Sequence, residues 1–237
     1  MKAHAPFGLF HICASLTCVL VPMMLCHILP IRRSNAKRIL FCSGILLVIL
    51  EVYKQLFLYV VVNGMQYDFW YFPFQLCSLA MYLCILLPLF PARMRTVAYT
   101  FLFSFSLPGA LLALLFPDDM LRGYVSLTAH GFLWHAILVW IALVVRRAGI
   151  ADRSGTGFVR AMLLYLFLCL LAVLLNIGLR KYAVYGAYPS MFYLSPYEKT
   201  GQFFFRVIAE RFGIPAELIL YIILYILFCL GFHAFLL

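Results

Sequence analysis

Leu218-Ile219-Leu220-Tyr221-Ile222-Ile223-Leu224-Tyr225-Ile226-Leu227-Phe228-Cys229-Leu230 runs for 13 residues without a charge, a glycine or a proline. It sits inside a longer apolar stretch, about 214–236. A helix rises about 1.5 Å per residue, so about 20 such residues cross a hydrocarbon core about 30 Å thick. A membrane β-strand would instead alternate over about ten residues. The run does not alternate, and neither does Ile45-Leu46-Leu47-Val48-Ile49-Leu50. These stretches predict membrane-spanning helices.

The rest of the chain agrees. It is 66% hydrophobic and 11% charged, with a mean hydropathy of +1.04. An ordinary soluble domain is about half apolar and about a quarter charged. Seven apolar stretches predict an all-α membrane bundle in one domain, residues 1–237. They lie at about 7–29, 39–62, 72–90, 96–116, 123–145, 158–178 and 214–236. The first has only Lys2 before it, is too long for a signal h-region and precedes no small-x-small cleavage site. It reads as a retained helix.

Orientation follows from lysine and arginine in short loops. Arg32, Arg33, Lys37 and Arg38 fall in the first loop, Arg93 and Arg95 in the third, and Arg146, Arg147, Arg153 and Arg160 around the fifth. The second loop carries Asp68, and the fourth Asp118, Asp119 and Arg122. The expectation is an outside N-terminus and a cytosolic C-terminus. The sixth loop mixes Arg180, Lys181, Lys199, Arg206 and Arg211 with Glu198 and Glu210, and is long enough to carry structure of its own. The net charge of +10 is then a consequence of topology, and no nucleic-acid partner is expected. The eight cysteines lie in or beside the spans, outside the extracellular loops, so no disulfide framework is legible. Metal-ligand spacings are missing too, and neither metal nor cofactor is expected.

Within a span, ionisable residues are costly and therefore informative. Glu51, Lys54 and Gln55 share one helical face at i, i+3, i+4. That spacing serves a mutually satisfied pair as well as it serves a polar cavity. In Phe72-Pro73-Phe74-Gln75-Leu76-Cys77-Ser78-Leu79, Pro73 suits a first helical turn and puts Cys77 about one turn inside. Most cysteines pack as small hydrophobes, and reactivity requires an activated thiol. His130 and His135 are about 140° apart on a helix, so they serve different partners. All of these groups fall within roughly 20 Å of the outer boundary at 1.5 Å per residue. Asn176 and Arg180 end the sixth span at the same level. A polar cavity open to the outer leaflet is expected.

These residues carry a resemblance. Glu51-Val52-Tyr53-Lys54-Gln55, Phe72 to Leu79, the histidine-bearing span and Tyr185-Gly186-Ala187-Tyr188-Pro189-Ser190-Met191-Phe192-Tyr193-Leu194 are similar to the YwaF-type integral membrane proteins. That family is related to the phospholipid acyltransferase transmembrane protein 164. The chain departs from it at Gln75, where the family tends to have histidine, and at Tyr188-Pro189-Ser190-Met191, where it tends to have Asn-Tyr-Met.

The resemblance implies a multi-pass protein of the bacterial cytoplasmic membrane that acts as a lipid acyltransferase or lipid hydrolase. It implies Cys77 as thiol nucleophile and His135, with His130 second, as base. Glu51, Lys54, Gln55, Gln75, Asn176 and Arg180 would orient groups or bind substrate. Membrane lipids would be the partners and a lipid acyl ester the substrate. A non-enzymatic binding or transport protein using the same cavity, and a purely structural polar core, are the competing readings.

Overall fold

The computed structural model describes residues 5–183 and 188–236. Among the described residues all regular structure is helical. We number the helices α1 (Leu9–Ile28), α2 (Arg33–Val62), α3 (Leu76–Leu86), α4 (Ala92–Leu115), α5 (Val125–Ala148), α6 (Gly155–Tyr182), α7 (Phe203–Phe212) and α8 (Ile214–Leu236). Six of them, α1, α2, α4, α5, α6 and α8, are long and apolar enough to cross a membrane.

Burial sorts the six into two layers. In α4 and α5, 67% of the most apolar window is buried, against 17–22% in the other four. The central pair forms the core, and the others turn leucine, isoleucine and phenylalanine outward, where lipid tails solvate them. α1 packs along α5, to which Cys18 and Cys26 donate at the carbonyls of Phe132 and Leu143. Near the N-terminus of α1, Ser15 Oγ and His11 Nε2 hydrogen-bond the Leu114 carbonyl. That carbonyl belongs to the last turn of α4, where no intrahelical partner follows.

The expected third span, 72–90, is shorter as a helix. Residues 72–75 are not helical, and helix begins only at Leu76. Pro73 drives the residue before it out of the α region, and Phe72 has φ −53° and ψ 133°. Proline opens no helix here; it delays one. The non-helical backbone is satisfied by side chains: Tyr82 donates to the Pro73 carbonyl, and Gln55 to the Tyr71 carbonyl. At the other end Pro88 and Pro91 withhold two donors as the chain turns into α4. From Tyr71 to Leu86 the segment runs antiparallel along α2, with Tyr71 beside Gln55 and Cys84 beside Gly44. Gly44 permits that approach, since a Cβ there would lie 2.8 Å from the Cys84 Cβ.

Two features escape the apolar pattern. α4 contains a π-helical stretch, Leu102–Ser106, wholly buried. Tyr225 of α8 donates to the Phe105 carbonyl at 2.6 Å, within this stretch. The sixth loop does carry structure: α7 holds an exposed Arg206–Glu210 pair, and Phe205 packs edge-on to Tyr221 of α8.

Candidate functional site

The polar face of α2 meets the start of α3 and the N-terminal half of α5. Glu51, only 6% exposed, accepts at Oε1 from both Lys54 Nζ (2.9 Å) and Gln55 Nε2 (2.7 Å). Its Oε2 is buried with no hydrogen-bond partner. Lys54 Nζ also lies 5.9 Å from the ring centre of Trp134, and Trp134 Nε1 donates to the Cys77 carbonyl at 3.3 Å. Cys77 itself is partly buried in the first turn of α3.

The two histidines have different partners, as their 140° separation requires. His130 Nε2 is 3.1 Å from the Leu50 carbonyl on α2, and its ring lies 5.6 Å from that of Trp134. His135 Nδ1 is 2.7 Å from the Gly131 carbonyl of its own helix. A carbonyl oxygen only accepts, so the proton of each neutral ring sits on the bonded nitrogen. His130 Nδ1 and His135 Nε2 are left as basic nitrogens. Among the described residues no hydrogen bond joins the Cys77 thiol to either imidazole.

Gln75 and Asn176 each clamp the backbone of the late segment through both ends of the amide. Gln75 donates to the Ser190 carbonyl (3.1 Å) and accepts from the Phe192 N–H (2.9 Å). Asn176 donates to the Met191 carbonyl (3.2 Å) and accepts from its N–H (2.7 Å). Residues 190–194 are thereby drawn into the bundle as a plug, with Met191, Phe192 and Leu194 buried and Phe192 stacked on Phe74. Phe192 and Tyr193 both adopt φ of 58°, unfavourable for residues bearing a Cβ. Tyr193 donates its hydroxyl to Asp119, and burial and that carboxylate together raise its phenol above the ordinary range.

Arg180 is elsewhere, stacked 4.2 Å over Tyr197. Tyr185, Gly186 and Ala187 of the late segment lie outside the described residues. Trp134 is the part of this site that the sequence did not single out. Residues 190–194 carried the family resemblance, but a loop without periodicity gave no place for them in the fold.

Beside the cluster, a shallow groove is lined by Gln55, Tyr59, Asn63, Tyr67, Asp68 and Tyr71. Burial first, and the Glu51 carboxylate second, raise the Tyr67 phenol above its usual range.

The sequence model of the TMEM164 family matches residues 6–231. The chain belongs to the TMEM164 family. No curated protein and no solved structure matches it. The family and the six long apolar helices together make it a multi-pass membrane protein whose outer helices contact lipid. The TMEM164-family match takes in every residue of the cluster, from Glu51 to His135, together with Gln75, Asn176 and the plug.

Proposed function

We propose that this protein is a lipid acyltransferase or lipid hydrolase working through Cys77, in one membrane domain that crosses seven times. In this reading residues 72–86 are the third crossing, the N-terminus is outside and the C-terminus cytosolic. The antiparallel course of residues 71–86 along α2 supports the third crossing. The arginines of the first, third and fifth loops support the orientation.

The observation that carries the chemistry is the incompletely satisfied carboxylate of Glu51, buried in a cluster with Lys54, Trp134, His130 and the Cys77 backbone. Intramembrane charge is expensive, and a purely structural polar core satisfies its members. Lys54 sits over the Trp134 ring, and the Trp134 indole N–H binds the Cys77 carbonyl, so the ion pair and the cysteine share one cluster. Of the two imidazoles, His130 bonds the Leu50 carbonyl of α2 and lies against Trp134, over which Lys54 sits, and we assign it the base role ahead of His135.

The thiol proton passes to the imidazole, and sulfur attacks the ester carbonyl carbon of a lipid. The carbonyl–oxygen ester bond breaks, and the departing lyso-lipid oxygen takes the proton. An acyl thioester remains on Cys77, and a lipid hydroxyl or water then attacks it and restores the thiol. Before the first step the plug at residues 190–194 has to yield to the substrate. Tyr67 and Tyr71 in the adjacent groove mark the side facing the loops from which a lipid would enter.

The test is direct. Purified protein incubated with phospholipid carrying a labelled acyl chain is expected to acquire label on Cys77, released by neutral hydroxylamine as a thioester is. Cys77→Ala is expected to abolish labelling, and His130→Ala to slow it by about 10²-fold or more. Labelling that persists in Cys77→Ala, or wild-type protein that never labels while lipid composition is unchanged on overexpression, sinks the reading. The latter result would favour a lipid-binding or transport role for the same cluster.

A further inference from the structure

The opposite end of the bundle, where the loop arginines gather, holds a second cavity. It lies between the first turns of α4 and α6, measures about 100 Å³, and is lined by Arg93, Thr96, Thr100, Asp152, Gly157 and Arg160. Its walls are tightly built. Asp152 N–H donates to Thr100 Oγ1 at 2.9 Å, and Thr100 in turn donates to the Thr96 carbonyl. Gly157 closes against Asp152 so tightly that a Cβ would lie 2.5 Å from its Cγ.

The charges are not balanced. Two guanidinium groups face one carboxylate. Asp152 Oδ1 already accepts from the Ser154 N–H (3.0 Å) and hydroxyl (2.6 Å). Those bonds hold its carboxyl below the usual range, with Arg160 contributing less. Arg160 Nη1 is 3.7 Å from Asp152 Oδ2, beyond hydrogen-bond distance, so its donors are uncommitted. Arg93 is exposed and has no hydrogen-bond or ion-pair partner among the described residues. A guanidinium carries five donors in a planar fork, matched to phosphate and carboxylate oxygens. Two uncommitted forks about one cavity leave a net positive site with unused donors. The depth favours phosphate: Arg95, Arg146, Arg147 and Arg153 mark this as the headgroup level of the basic face. Basic pockets between membrane helices at that level suit anionic headgroups.

We propose that the Arg93–Arg160 cavity binds a phosphate group, supplied by the headgroup of an anionic phospholipid or by free phosphate. Arg93 and Arg160 clamp its oxygens, and Asp152 fixes the direction of Arg160. Thr96 borders the same space, with its hydroxyl donating to the Ala92 carbonyl. The site is separate from Cys77 and does not depend on the chemistry there. It would seat the basic face on anionic lipid.

Full-length protein in mild detergent, examined by native mass spectrometry, tests this with three probes. Phosphatidylglycerol is expected to be retained in preference to phosphatidylcholine. Arg93→Gln and Arg160→Gln are each expected to weaken retention about tenfold, as loss of a charge-assisted contact does. Arg93→Lys should keep part of it. Inorganic phosphate that competes with phosphatidylglycerol, and loses that ability in both glutamine variants, also supports the phosphate site and makes free phosphate a source. Equal retention of the two lipids with no arginine-dependent phosphate binding overturns the proposal. So does a lipid preference unchanged in the Arg93→Gln/Arg160→Gln double variant. Arg93 is exposed and supports no fold contact, so its single variants remain informative if Arg160→Gln folds poorly.

Discussion

Two buried histidine clusters lie at opposite ends of the bundle, and they are finished to different degrees. At the basic end, His233 of α8 joins Ser104 at Nδ1 (2.9 Å) and the Ser154 carbonyl at Nε2 (3.2 Å). The carbonyl fixes the proton on Nε2, so Nδ1 accepts from the Ser104 hydroxyl. Each polar group is used, and three parts of the chain are tied together. At the other end, Glu51 accepts from Lys54 and Gln55 on one oxygen and from nothing on the other. A satisfied neutral pair is a fastener. A buried ion pair with a spare oxygen costs stability, and that cost points to work done elsewhere.

The largest expected effect comes from breaking the unfinished cluster. Glu51→Ala removes the partner of Lys54 and is expected to destabilise the protein by about 3 kcal/mol. This is the low end for such pairs, because the Lys54 side chain keeps 22% exposure. Denaturant unfolding in detergent measures it. The double variant Glu51→Leu/Lys54→Met replaces charge with apolar volume and is expected to recover to within about 1 kcal/mol of wild type. It is nevertheless expected to form no thioester on Cys77. A double variant that is both stable and fully acylated would make the pair a fastener like its counterpart.

Much of this contrast is legible in the sequence, and the missing part has a physical cause. The span 214–236 corresponds to Ile214–Leu236, because a continuous apolar run has one stable form in lipid. The common level of Glu51, Lys54, Cys77 and His130 follows from counting rises along antiparallel helices. Pro73 misled: proline suits the first helical turn, yet here it ends the short Phe69–Tyr71 turn at Phe72, and side chains rather than helix bonds take up the Tyr71 and Pro73 carbonyls. Gln75 and Asn176 were legible as polar groups at the right depth. Their partners were not, since those are backbone atoms of a loop more than a hundred residues from Gln75. That same loop buries Met191, Phe192 and Leu194 and stacks Phe192 on Phe74, beside the start of α3.

The finished cluster gives the second prediction. His233→Ala removes two hydrogen bonds and the ring that packs against Phe158 at 5.2 Å. The loss is expected to be about 2–3 kcal/mol, with thioester formation per folded molecule unchanged. A fall in specific activity that exceeds the loss of folded protein would mean that the two ends are coupled.

The smallest effect is the most local, and it sharpens the contrast within the unfinished end itself. Gln75 and Asn176 hold adjacent residues of one plug, but the plug is strained on one side only. Phe192 and Tyr193 carry the positive φ, costing on the order of 1–3 kcal/mol each, whereas Met191 does not. Gln75→Ala frees the Phe192 N–H and the Ser190 carbonyl, a loss of about 1–2 kcal/mol. Hydrogen exchange at Phe192 is expected to rise by about tenfold, the equivalent of about 1.4 kcal/mol. Met191 keeps its Asn176 bond and should change less. Equal acceleration at both amides would mean that the plug opens as one piece. Faster exchange confined to the strained half would mean that the residues nearest Phe74 and α3 let go first, which is where a lipid chain on its way to Cys77 needs room.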